Sequence, residues 1–415
     1  MDFNDTPEEA KFRQEAAAWL DANARKKEYA NQTWASILED KSSANIVRLS
    51  RQYQLQKYEG GWACLHWPKE FGGRGTTPME RVIWGQEESK YIVPRGVYEI
   101  GQGMAGPVLM KYATEGQKQR YLPPMAKGEE IWCQLFSENS AGSDLAGLRM
   151  KAVRDGDDWL LNGEKIWTSG AHYCDFGIIV ARSNPEVAKH KGLTFFFIDM
   201  KSPGIEIKPI KQISGGSHFN TVIFDDVRVP DAQRLGEEGD GWKVALTTLM
   251  NERVSVGDAP GPNFEQAFSL AQTVELDGEP AVKNKAVRSQ LAKWYYQTSG
   301  ITYTKYRSTS ALSRGETPGP ENSITKLVGA NKAQEIATFG VDLMDAGGVV
   351  WDEELVEADA RFQNAYMQSP SMRIAGGTDE ILRNIIADRV LGLPQEPRAD
   401  KGLNFSEIPT GSANK

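Results

Sequence analysis

Residues 131–148 read IWCQLFSENSAGSDLAGL. The stretch opens as an apolar run with strand character and closes in a turn built from Glu138 to Asp144. Small residues there let a ligand come close to the backbone, and exposed N–H groups and hydroxyls can hold phosphate or ring oxygens. Residue types alone favour an ordinary strand ending in a polar loop. Its meaning depends on what surrounds it.

Upstream the pattern is helical. Thr6, Pro7 and Glu9 form a helix start, with a cap, a proline at the first position and a capping-box carboxylate. Further helices are predicted over 44–57, 78–91 and 106–126, with a Trp-Pro and Gly-Gly loop at 60–75 between them. Downstream the period becomes two. Asn162-Gly163 between Trp159–Leu161 and Lys165–Trp167 reads as a hairpin with a type I′ turn. Strands are also expected at 176–181, 193–200, 205–210 and 221–224. Beyond Gly241 long helices are expected at 242–254, 263–274, 282–310, 322–344 and 375–391, packing as an up-down bundle, with a loop at 311–320. The expected fold is therefore α+β: an N-terminal helical domain (1–130), a middle β domain (131–235), a C-terminal helical bundle (236–395) and a polar, frayed tail (396–415).

Composition narrows the class. With 415 residues, 40% hydrophobic and 25% charged, the chain reads as a globular protein of two or three domains. A formal net charge of −8 argues against nucleic acid and against anionic membrane surfaces as partners. Three cysteines without metal spacing fit a reducing compartment. The acidic, polar N-terminus is not a secretory signal, and no run approaches the roughly 20 apolar residues of a membrane helix. A cytoplasmic protein is expected. Gly101, Gly103 and Gly106 satisfy GxGxxG, but Pro107 follows at once and Arg120 and Tyr121 stand where the ribose acid belongs. HExxH, CxxC and GxSxG are absent, the four histidines are scattered, and no metal site is expected.

Ser137, Glu138, Ala141, Gly142, Ser143 and Asp144 match the first flavin-binding turn, (T/S)EPxAGSD, of the acyl-CoA dehydrogenases, which this chain resembles; Asn139 and Ser140 depart from it. NGEKIWTSG (162–170) is similar to the family's second flavin motif, one residue short after Trp167. RIAGGTDEILRNIIADRVLG (373–392) resembles its C-terminal signature, LMDAGG (343–348) its Gly-Gly turn, and WPKEFGG (67–73) its N-terminal loop. The resemblance implies FAD, held by Gln134, Phe136, Ser137, Gly142, Ser143, Trp167, Met344, Gly348, Thr378 and Glu380, with Thr168 or Ser169 at flavin N5. It implies acyl-CoA bound by Ser143, Arg253 and Gly376, and α,β-desaturation in which a carboxylate takes the α proton while hydride leaves Cβ for the flavin. An electron-transfer flavoprotein would accept the electrons, and a homotetramer or homodimer is implied.

Two departures matter. Many members carry the catalytic glutamate directly before Gly-Thr of the C-terminal signature, where this chain has Gly376. Other branches, the isovaleryl and long-chain enzymes among them, place it in a Glu-Arg pair on the first helix after the β domain, and Glu252-Arg253 matches that pair. By periodicity alone Glu252 lies away from an apolar stripe of Trp242, Leu246, Leu249, Met250 and Val254 and reads as solvated, while Arg253 falls on the stripe. The family's Arg-x-x-Phe-Gly motif is missing, leaving Arg288 as the arginine for the flavin pyrophosphate. These losses keep open a half-site or non-catalytic partner subunit of a heteromer, and an oxidase or eliminating flavoenzyme.

Overall fold

The computed structural model describes residues 4–28, 34, 38, 40–255, 261–316, 319, 320, 322–352, 355 and 360–409, except the side chains of 252–255, 312, 313 and 322. They fall into two compact units. One is formed mainly by Gln32–Val256, with Glu8–Glu28 and Pro397–Lys415; the other mainly by Gly257–Glu396.

In the first unit, α1 (Pro7–Asn23) buries Phe12, Ala16 and Leu20. The Ser42 hydroxyl caps α2 (Ser43–Glu59), and a reciprocal Thr77–Glu80 box with Pro78 starts α3 (Pro78–Glu88). Aromatic rings join these helices, Trp62 stacking on Trp84 at 4.8 Å between centroids. A short antiparallel ladder pairs β1 (Arg25–Lys26) with β2 (Tyr91–Ile92). Of the apparent dinucleotide fingerprint, Gly101 and Gly103 lie in a single π turn, Gly101–Ala105, and Gly106 begins α4 (Gly106–Tyr112); helical residues, not a strand, lead directly into the turn. The single helix expected over 106–126 is two: Ala113 is extended, and the Thr114 capping box begins α5 (Glu115–Lys127).

A seven-stranded sheet follows: β3 (Trp132–Leu135), β4 (Lys151–Asp155), β5 (Asp158–Ser169), β6 (Phe176–Arg182), β7 (Leu193–Asp199), β8 (Ile205–Ile210) and β9 (Phe219–Pro230). The order is β3-β6-β4-β5-β9-β8, with β7 on β6; β3 runs parallel to β6, and β7, β5 and β8 pair antiparallel with β6, β9 and β9. The continuous apolar runs of β6 and β7 are covered on both faces. Alternation at period two sends Ile178, Val180, Phe195 and Phe197 toward α4 and α5, and Ile179, Ala181, Phe196 and Ile198 toward Trp159, Leu161 and Val222.

The expected hairpin at Asn162-Gly163 is absent. β5 is one twelve-residue strand, and the chain reverses earlier, at Gly156 between β4 and β5. Asn162-Gly163 instead forms a bulge opposite β9: the Asn162 carboxamide oxygen accepts the Asp226 N–H at 2.9 Å, and its amide donates to the Asp226 carboxylate at 2.8 Å.

α6 (Gly241–Ser255) packs Val244, Ala245 and Thr248 against α4, β6 and β7. The expected apolar stripe holds in part: Trp242 and Leu249 are half-buried against the core, while Leu246 and Met250 are 41% and 64% exposed. The fully buried positions are the small ones. Nor is the tail frayed as expected: Phe405 is buried and residues 398–407 bind back on the β domain.

In the second unit, α7 (Phe264–Thr273) starts at an Asn263–Gln266 box, and β10 (Glu275–Leu276) with β11 (Glu279–Pro280) makes a small hairpin. α8 (Lys285–Ser313), α9 (Asn322–Leu343), α10 (Arg361–Met372) and α11 (Asp379–Ile385) follow, α9 touching all the other helices of this unit. Leu270, Leu291, Trp294, Ile336 and Phe362 are its core. α10 was not among the expected helices, and the helix expected from Ala375 begins only at Asp379.

Candidate functional site

The two segments singled out by sequence meet in the first unit. Ile166 N–H donates to Ser137 O at 2.9 Å, joining β5 to the turn after β3. Beneath this contact lies an ion pair. The ammonium of Lys165, fully buried, donates to Glu138 Oε1 at 2.8 Å and to Phe136 O at 3.0 Å. Glu138 also accepts the N–H groups of Arg149 at 2.6 Å and Met150 at 3.0 Å. One carboxylate thus ties the turn's start, its exit and the neighbouring strand. Burial pulls the Lys165 pKa down, and Glu138 opposes that shift. Glu138 is read from the sequence as part of a motif, whereas Lys165, between Glu164 and Ile166, has no task there and no local signal of burial.

β5 then breaks register opposite β9 between Lys165 and Thr168. Within this bulge Trp167 takes φ +61°, a left-handed conformation that is an outlier for a bulky residue. Its indole is 55% exposed, edge-on to Phe219 at 6.0 Å. Thr168 beside it is 1% exposed; Asn220 Nδ2 donates to its carbonyl at 3.0 Å, yet its hydroxyl has no hydrogen-bond partner among the described residues. The same holds for Gln134 Oε1 on β3. Buried polar atoms are usually hydrogen-bonded, and one without a protein partner has bonding capacity that a ligand or a water can complete. An exposed aromatic face with orphaned polar atoms nearby in the fold suits a flat ring with a polar edge, and flavin fits these residues. Phe136 is buried, edge-to-face with Phe195 at 5.8 Å. Ser137 and Ser169 are half-buried, and Gly142 and Ser143 are exposed on the turn.

The turn's far side is also held. Lys189 bonds both Asp144 oxygens at 2.8 and 2.9 Å. The buried guanidinium of Arg182 donates to the carbonyls of Ala146 at 2.6 Å and Leu148 at 3.2 Å.

The other candidates belong to the second unit. Gly376 and Gly377 have φ of +66° and +95°, conformations that favour glycine. Thr378 caps α11, its hydroxyl accepting Ile381 N–H at 3.2 Å. The buried carboxylate of Asp379 takes Arg373 Nε at 2.7 Å and Asn331 at 3.0 Å, and Lys326 donates to the Gly377 carbonyl. Sequence analysis missed this Arg373–Asp379 brace. Glu380 is exposed and pairs at 3.5 Å with Arg383. Arg288 is exposed in the first turn of α8, Met344 is half-buried after α9, and Gly348 is buried beside Val341.

Glu252 and Arg253 lie in the last turns of α6, and their side chains fall outside the described residues, as do residues 256–260. Among the described residues no cluster could hold a metal, and no helix is long and apolar enough to cross a membrane.

Comparison with known proteins places this architecture. The N-terminal, middle and C-terminal domains of acyl-CoA dehydrogenase match residues 6–129, 133–227 and 239–391. The acyl-CoA dehydrogenase IpdE1 of Mycobacterium tuberculosis is 36% identical over 353 residues, covering 84% of this chain and 89% of its own. FadE34 of the same organism is 38% identical over 82% of this chain, which spans 46% of FadE34. Among solved structures, the ChsE4–ChsE5 complex from M. tuberculosis aligns at TM-score 0.74, with 27% identity over 95% of this chain and 100% of the other. The Tcur3481–Tcur3483 steroid ACAD aligns at 0.75, with 25% identity and the same coverage. The chain belongs to the acyl-CoA dehydrogenase family, a class of flavin-dependent oxidoreductases.

Proposed function

We propose that this chain dehydrogenates the α,β bond of an acyl-CoA thioester with FAD, using Glu252 as base. The observation that carries the reading is the bulge at Trp167–Thr168, a strained aromatic beside a buried hydroxyl left without a partner. Gln134, Phe136, Ser137, Gly142, Ser143, Trp167 and Thr168 or Ser169 hold the flavin from the first unit. Thr168, the buried member of that pair, is the better placed. Arg288, Met344, Gly348, Thr378 and Glu380 belong to the cofactor's remaining contacts. Bound FAD supplies the two-electron oxidant, and electrons pass on to an electron-transfer flavoprotein.

The protein's own task is proton chemistry and polarisation. Glu252 removes the α proton, and the Gly376 N–H donates to the thioester carbonyl, which makes that proton acidic. Ser143 and Arg253 receive the rest of the CoA ester. A positioned base contributes about 10²- to 10⁴-fold. Glu252→Gln is therefore expected to keep bound FAD while losing at least about 10²-fold in turnover; near-normal turnover removes Glu252 from the mechanism.

The Ala375-Gly376-Gly377 turn carries no large side chain, which favours a bulky acyl group. The steroid enzyme among the structural neighbours supports the same direction. A thioester panel with an artificial electron acceptor tests it, and preference for short straight chains alone would overturn it.

A second reading follows from Gly376 and from the paired names of both neighbours: a subunit that completes another chain's site in a heteromer. Purified alone, such a subunit would show neither flavin absorbance nor turnover. A yellow, active homo-oligomer would exclude it.

A further inference from the structure

The C-terminal segment holds the flavin turn from behind. Phe405 N–H donates to Val187 O at 2.8 Å and Ser406 N–H to Pro185 O at 2.9 Å, fastening residues 405–406 to the loop after β6. The Phe405 ring then lies on the guanidinium of Arg182, 3.6 Å from Cζ to centroid, with Arg149 at 5.2 Å. Arg182 is the residue that grips the carbonyls of Ala146 and Leu148. It has no carboxylate within ion-pair distance among the described residues; the carbonyls of Ala146, Leu148 and Lys189 and the Phe405 ring face together cover its buried charge. A second tie runs in parallel. Asp400, braced by Arg398 at 3.0 Å, takes Lys189 at 2.6 Å, and the same ammonium holds Asp144. Both routes end on residues 144–148, directly after Gly142 and Ser143.

We propose that Phe405 and Asp400 are positioning residues: the 398–407 segment is a strap that fixes the 142–150 turn in its ligand-ready shape through Arg182 and Lys189. The functional consequence rests on the reading of that turn as a flavin and acyl-CoA contact. Arg182 and Lys189 are the transmitting groups, and neither the strap nor these two residues touches the reacting atoms.

The test uses the full chain, a version ending at Glu396, Phe405→Ala and Phe405→Trp. Backbone hydrogen exchange is followed in peptides covering 142–150 and, as an internal reference, the β6–β7 core. Deletion and Phe405→Ala are expected to speed exchange at 142–150 by about tenfold, the loss of one desolvated cation–π contact, and to leave the reference unchanged. Phe405→Trp, which keeps the ring face, should restore slow exchange. FAD affinity, read by flavin fluorescence, should fall with the faster exchange, and KM should rise more than kcat falls. Unchanged exchange at 142–150 in both weakened variants overturns the strap, as does acceleration spread equally over the reference peptides. If full-length protein binds no FAD while the exchange pattern holds, the strap stands and the flavin assignment of the turn fails.

Discussion

Two glycine-bearing turns, one in each compact unit, carry candidate residues, and they are built in opposite ways. The 137–148 turn is held at every side: Glu138 and Lys165 beneath, Ile166 alongside, Arg182 and Lys189 behind. Its backbone is fixed so that Gly142 and Ser143 can be offered outward. The 373–378 turn is closed by Arg373 on Asp379 and held by Lys326 on the Gly377 carbonyl, and its centre is two glycines at positive φ with no side chain to present. One turn presents polar groups on a braced frame; the other presents bare backbone. In the proposed function the first holds the cofactor and the second leaves room for the acyl group.

Removing the ammonium beneath the first turn is the hardest blow to this contrast. Lys165→Met leaves the Glu138 carboxylate buried and unpaired and should cost about 3–5 kcal/mol in urea unfolding, with flavin lost on purification. If stability is unchanged, the pair does not brace the turn. Asp379→Asn removes the charge from the second turn's brace and should cost about 2 kcal/mol, the scale of hydrogen bonds to a charged group. Thermal unfolding reads it, and FAD affinity measured alongside should change less than in Lys165→Met. Gly376→Ala introduces a Cβ at positive φ, costing about 1–2 kcal/mol. It should also lower kcat/KM for bulky thioesters more than for short ones; an equal effect on both breaks the assignment of this turn to acyl room. Thr168→Val is the mildest. Replacing a hydroxyl that has no partner should leave stability within about 0.5 kcal/mol, while FAD binding weakens by about fivefold, one neutral hydrogen bond. Titration of the apo-protein with FAD distinguishes the two effects.

Much of this molecule is legible in the sequence because its signals are long. α8 and α9 keep helical period over many turns, and the unbroken apolar runs of β6 and β7 have no reading but buried strands in this context. What failed is where a short signal met a long-range partner. Asn-Gly is a strong hairpin mark in isolation, but Asp226 across on β9 bonds the Asn162 carboxamide and holds the pair as a bulge. On α6, size was mistaken for burial: β6 and β7 approach closely enough to admit Val244, Ala245 and Thr248 and leave Met250 outside. The tail looked unstructured because its single ring, Phe405, finds a partner more than two hundred positions earlier. The motif turns themselves were recognised by their residues, while their supports, Lys165, Arg182 and Arg373, carry no local signature.

The fully buried Lys165 has a bearing on how such proteins can be re-engineered. Segment exchange between relatives treats 131–150 and 158–169 as separate cassettes. Transplanting either into a chain that lacks the other's charged residue would deliver half of an ion pair into a dry interior, so such a chimera has to carry both, together with the aspartate across from Asn162. The unit of inheritance here is the charge pair and the strands that enclose it, not the motif that reads clearly along the chain.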